Sequence, residues 1–109
     1  MMDSHELAET LTGLASRLNN LMVDTTGSIS RECSDLEDTL TGQAMAAIAR
    51  DLDHTTSQYL SAVNALNEAA LEADAAAASL DRTARSIEAV AKVVKLAGQA
   101  SMLAAKVLA

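Results

Sequence analysis

The chain has no proline, no tryptophan and no phenylalanine, and its 109 residues include one tyrosine, one cysteine and four glycines. A strand-rich fold needs β-branched and aromatic runs punctuated by turn residues, so these absences point to an all-α protein. A single cysteine rules out an intrachain disulfide framework. Cationic side chains are also scarce: 8 Lys and Arg against 15 carboxylates give a net charge of −7. Nucleic acid is therefore excluded as a partner, because phosphate binding requires a basic face. No uncharged run approaches the roughly 18–20 apolar residues of a membrane-spanning helix. The opening MMDSHELAET has neither a basic n-region nor an apolar h-region. The expectation is synthesis in the cytoplasm without a classical signal peptide, any export following a non-Sec route.

What is present is alanine, which dominates an apolar half of the composition. Each buried CH₂ contributes only about 0.8 kcal/mol, so an alanine-rich core is thin. A protein partner or a homo-oligomer is expected to complete the buried surface. Charge is unevenly placed. Residues 1–78 hold Arg17, Arg31 and Arg50 against thirteen carboxylates, a balance of −10, whereas residues 79–109 carry +3.

Periodicity supplies the helices. Asp3 followed by Glu6 is a helix-start signature. Leu7, Leu11, Leu14 and Leu18 then form a seam with spacings of three and four, which resumes at Ile29, Cys33, Leu36 and Leu40. The reading is one helix over 4–40, or two if the poor helix formers of DTTGS break it near 25–28. Leu40, Thr41 and Gly42 read as a hairpin turn, with Thr41 as cap and Gly42 as the residue able to take a positive φ. A second seam runs through Met45, Ala49, Leu52, Thr56, Tyr59, Val63, Leu66, Ala70 and Ala73 and on to Val94, with no Gly or Pro between 43 and 97. Helix 2 is assigned to 43–78 and helix 3 to 80–107, the latter continuous with helix 2 or folded back, with Ser79 as its candidate cap. The fold class is thus all-α: an antiparallel helical hairpin or small bundle with a long second helix and a C-terminal amphipathic helix, in one domain.

In the C-terminal segment Arg85, Lys92, Gln99 and Lys106 fall seven apart, with Glu88 and Lys95 on the neighbouring ridge. The remaining arc is apolar and wider than a two-helix seam needs, so this helix is buried among neighbours or rests on a membrane surface. Tyr59, Val63, Leu66, Ile87, Val90 and Val94 are taken as the interaction face. Arg85, Lys92, Lys95 and Lys106 are taken as contacts for a membrane surface, through residues 86–109, or for an acidic partner.

Chemistry is sparse. Asp51 and His54 form an Asp-x-x-His pair, but di-iron bundles need duplicated Glu-x-x-His pairs and two further glutamates; His5 lies at a helix end. Glu68 and Glu72 are four apart without a third converging ligand. Cys33 lies on the leucine seam with no base fixed nearby, which suits a small core hydrophobe better than a nucleophile. No catalytic, metal or cofactor site assembles, and no enzyme activity is expected.

The stretch LTGQAMAAI, with Leu40-x-Gly42 followed by Ala44, Met45 and Ile48, resembles the turn of the small Trp-x-Gly secreted proteins of the early secreted antigen type. Here Leu40 stands in the place of the tryptophan, and Tyr59 with Val63 does not form that family's C-terminal Tyr-x-x-x-Asp/Glu signal. The resemblance, over residues 4–85, implies a dimerising hairpin exported by type VII secretion. A second resemblance, to chemoreceptor signalling helices, rests on Leu96, Ala97, Gln99, Met102, Leu103 and Ala104, with Ala100-Ser101 where Thr-Asn is typical. The functional expectation is a non-enzymatic helical interaction protein, a small cargo, chaperone or adaptor of a bacterial secretion system. The alternatives are a membrane-active protein using its cationic C-terminal helix and a coiled-coil signalling adaptor.

Overall fold

A computed structural model describes residues 4–23, 27–50, 52–53, 55–78 and 84–109. They form four helices, α1 (Ser4–Val23), α2 (Ser28–Ala49), α3 (Ser57–Ala78) and α4 (Ala84–Leu108), and no strand lies among the described residues. The protein is an all-α small helical bundle.

The leucine seam is broken between α1 and α2. Gly27 takes φ 77°, ψ −148°, a left-handed conformation that costs an L side chain about 1 kcal/mol or more. Its carbonyl accepts the first bond of α2, from the Arg31 amide at 3.3 Å. Asp24, Thr25 and Thr26 fall outside the described residues. A single helix over 4–40 is therefore excluded.

The turn assigned to Leu40, Thr41 and Gly42 is not there, because all three lie inside α2. A glycine in a helix interior costs only about 1 kcal/mol, and the buried contacts of Leu40 and Ala44 on either side outweigh it. The segment that the secreted-hairpin resemblance needs as a turn is helical.

The actual break comes later, at residues 50–56, which lack Gly and Pro. Arg50 turns to extended backbone (φ −113°, ψ 150°) and its amide bonds back to the Ala47 carbonyl. Asp53 Oδ1 accepts from the Thr55 amide at 2.9 Å and from the Thr55 hydroxyl. Thr56 Oγ1 accepts from the Tyr59 amide at 3.2 Å, which makes Thr56 the N-cap of α3. Local side chains thus offer the backbone an alternative to helix. The predicted helix over 43–78 is split here, although its end at Ala78 coincides with the end of α3. Ser79 lies outside the described residues, while α4 folds back along α3.

α1 packs on α2 and α3, and α4 packs on α3 and α2. The Leu7 amide donates to the Tyr59 hydroxyl at 3.0 Å, and Arg17 Nε meets Asp74 Oδ1 at 2.9 Å, so α1 and α3 run parallel. Gln43 Nε2 donates to the Ser101 carbonyl at 2.9 Å, which joins the C-terminal halves of α2 and α4, and Ile48 near the end of α2 shares a groove with Ala8 and Gly13 near the start of α1, as an antiparallel pair requires. Ser57, Gln58 and Ser61 of α3 share a groove with Leu103 and Lys106 of α4, as an antiparallel pair requires. Two antiparallel hairpins therefore lie side by side, with α2 and α3 at opposite corners of the bundle. The extents of 43 × 19 × 19 Å match four helices of about 10 Å diameter in a square. One continuous helix over 43–107 would span about 100 Å.

The core runs the length of the bundle. α1 supplies Leu7, Leu11, Leu14, Leu18 and Leu21, all fully buried. The other helices supply mostly small residues: Cys33, Ala44 and Ala47 around Leu40 on α2, Ala62, Ala69, Ala73 and Ala76 on α3, and Ala97, Ala100, Ser101 and Ala104 on α4. Large side chains on one helix meet small ones on the others, which lets four helices close on a chain with one aromatic residue.

Candidate interaction surface

The residues assigned from sequence to an interaction face are consumed by this core. Tyr59, Val63, Leu66 and Val90 are buried within the bundle and Val94 is half-buried. The side chain of Ile87 lies outside the described set. This face is corrected from intermolecular to intramolecular. The physical reason is the break at 50–56, which brings α3 back onto α1 so that the chain covers its own seam. Tyr59 has a particular task there: its hydroxyl reaches the backbone at the start of α1, fifty-two residues away. A buried tyrosine requires such a polar partner.

The basic residues of α4 remain outside. Lys92, Lys95 and Lys106 are exposed, and Lys92 Nζ lies 3.4 Å from Glu72 Oε1 of α3. The side chain of Arg85 is outside the described set. The apolar arc of α4 that a membrane would need, Val90, Val93, Ala97, Ala100, Ala104 and Leu108, faces the bundle interior. No helix among the described residues is long and apolar enough to cross a membrane.

Among the described residues no group of three His, Cys, Asp or Glu side chains is placed to hold a metal ion. Asp51, His54 and the side chain of His5 fall outside them. Cys33 is buried as the seam position implies. Burial, and secondarily the neighbouring Glu32 carboxylate, push its thiol pKa up, so it stays protonated and unreactive at neutral pH.

What the bundle leaves outside is a set of large apolar side chains. Leu71 is 69% exposed, Met45 68%, Met102 67%, Ile48 59% and Leu60 42%. Ile48 overhangs a shallow groove whose other wall is Ala8, Glu9, Thr12 and Gly13 of α1. Met45 stands one turn before Ile48 on α2. Leu60 and Leu71 share the outward side of α3. Met45 belongs to the second seam and Ile48 to the turn-like stretch LTGQAMAAI, yet both lie outside the core. Leu60 and Leu71 lie outside the ladder 59-63-66, and a leucine off the main ladder is the signal that marks them in the sequence.

The fold and this surface define a four-helix bundle with a sealed interior and apolar side chains on several outer faces. No protein-family model matches the chain, and no curated protein or solved structure is significantly similar to it.

Proposed function

We propose that the protein is a non-enzymatic helical interaction module that acts through its outer apolar side chains. One observation carries this reading: the interior is already closed by residues of the chain itself, yet Met45, Ile48, Leu71 and Met102 remain more than half exposed. They contribute little to folding where they stand, and water contact with them is unfavourable. Single exposed apolar residues are ordinary; here Ile48 lines a groove with Ala8, Glu9, Thr12 and Gly13, and Met45 stands one helical turn before it. Methionine suits such a surface because its flexible thioether adapts to varied partners.

The narrower reading, a small cargo, chaperone or adaptor of a bacterial secretion system, is compatible with this role. It has lost the turn at Leu40–Gly42 as support, and it now rests on size, helicity and surface alone. The membrane reading would need α4 to leave the bundle, exposing Val90, Val93 and Ala97 at the cost of the core they fill.

The test is site-specific photo-crosslinking in the cells that make the protein, with the reactive residue at Met45, Ile48 or Met102 and a control at Asn19, an exposed polar site on α1. A discrete adduct at the apolar sites and none at Asn19 supports the module. Absence of adducts at all three sites counts against it.

A further inference from the structure

The outward side of α3 carries a ladder one residue out of phase with the buried one. Leu60, Asn64, Asn67 and Leu71 are spaced four, three and four, and all four are exposed. Leu60 and Leu71 are eleven residues apart, so they lie within about 20° of each other around the helix and about 16 Å apart along it. The order of side chains reads the same in both directions: Leu, Asn, Asn, Leu, with equal outer spacings about a centre between residues 65 and 66. A two-fold axis through that centre makes every contact reciprocal, and this order then sets leucine against leucine and asparagine against asparagine, so the patch is complementary to itself.

We infer that this face of α3 is a homodimer interface, in which two copies pair antiparallel through Leu60, Asn64, Asn67 and Leu71. This rests on the reading of the protein as a helical interaction module and names one of its partners, a second copy of the chain. Antiparallel pairing sets Leu60 against Leu71 of the partner subunit, twice, and Asn64 against Asn67 of the partner subunit, twice. A carboxamide both donates and accepts, so facing asparagines satisfy one another. A polar pair inside a helical seam fixes register at some cost in affinity. The same axis brings Asp74 opposite Ser57 of the partner subunit, the first residue of its α3, where the helix dipole favours a negative charge. Asp74 is 58% exposed even while paired with Arg17, so its carboxylate is accessible there. No other exposed apolar set in the described residues has this self-complementary order. With four leucines per interface the dimer is weak, and net charge −7 on each copy opposes it until salt screens the repulsion.

Sedimentation velocity on the full chain, from about 10 μM to 1 mM in moderate salt, reads the association. The expected result is a concentration-dependent dimer that Leu71→Ser weakens about 10- to 100-fold, the equivalent of uncovering two leucine contacts. Circular dichroism should be unchanged, since Leu71 lies outside the core. Orientation is read by oxidation in a Cys33→Ala background. Leu60→Cys and Leu71→Cys mixed together should cross-link to each other, whereas neither alone should form a disulfide, because like residues lie about 16 Å apart along the pair. A monomer throughout the range, a dimer indifferent to Leu71→Ser, or a homotypic Leu71–Leu71 cross-link each overturns the proposal. Adducts with another protein at Met45 or Met102, alongside a strict monomer, would remove this dimer while leaving the interaction module standing.

Discussion

α1 and α3 bury the same register with opposite materials. α1 buries positions 7, 8, 11, 14, 15, 18 and 21; adding 55 to each gives 62, 63, 66, 69, 70, 73 and 76, all buried on α3 except the half-buried Ala70. Five of the seven on α1 are leucines, whereas five of the seven on α3 are alanines. The two helices run parallel and touch, so the difference is complementary: leucines fill the space that alanines leave. Helix packing of this kind gives close approach where both partners could not be large. The consequence is a division of labour. α1 holds most of the volume of the core and has a polar exterior of Glu9, Thr12, Ser16, Asn19 and Asn20. α3 contributes a slim inner face, and its leucines Leu60 and Leu71 point outward.

That comparison can be broken most severely on the α1 side. Leu14→Ala, at a fully buried site, should cost about 2–5 kcal/mol, measured by denaturant unfolding, and a loss under 1 kcal/mol would mean that the neighbours already fill the space. The reverse change on α3, Ala73→Leu, should cost about 1–3 kcal/mol through overpacking against α1. Were it neutral, the alanines would not be needed for close approach. Tyr59→Phe keeps the ring and removes the hydroxyl that accepts the Leu7 amide, an expected loss of about 1 kcal/mol.

The smallest effects sharpen where each hairpin bends. Gly27→Ala forces a side chain into φ 77° and should destabilise by about 1 kcal/mol. Gly42→Ala should stabilise by about 0.5–1 kcal/mol, because a Cβ there meets nothing within 4 Å and the residue is helical. Opposite signs at two glycines fifteen positions apart would confirm which one bends the chain; equal signs would contradict the assigned turns. Alkaline pH gives a further, minor effect. The buried Cys33 thiol has a raised pKa in the folded state, so its contribution is intact below the ordinary thiol pKa of about 8.5 and is lost as pH rises past it. Cys33→Ala should flatten that decline in a melting series between pH 8 and 10 (about the thiol range).

Much of the core was legible because leucine at spacings of three and four admits few readings. Leu7, Leu11, Leu14, Leu18, Cys33, Leu40, Tyr59, Val63 and Leu66 are all buried as their ladders imply. The turns were harder. Gly42 drew the turn because glycine is the usual punctuation, yet glycine in a helix is only mildly unfavourable. The bend at 50–56 uses Asp53, Thr55 and Thr56, whose side chains bond to nearby backbone or to each other, and no glycine or proline marks it. A ladder that continues in phase across such a cap conceals it. With that turn missed, the assignment of faces also failed: periodicity tells which residues share a face, and only the path of the chain tells what covers it. The ladder 59-63-66 turns Tyr59 inward without saying that α1 covers it, and Leu60 and Leu71 lie one position out of phase with that ladder.

The central claim is that the chain closes its own core by folding into two hairpins, which leaves Met45, Ile48, Leu71 and Met102 exposed on its outside. The most direct measurement is the distance between spin labels at Gln58 and Lys106, exposed sites at the start of α3 and the end of α4. These residues line one groove, and neighbouring helix axes lie about 10 Å apart, so the labels should report a single distance below about 25 Å. A distribution near 70 Å, the length of forty-eight residues in one continuous helix at about 1.5 Å each, would contradict the account.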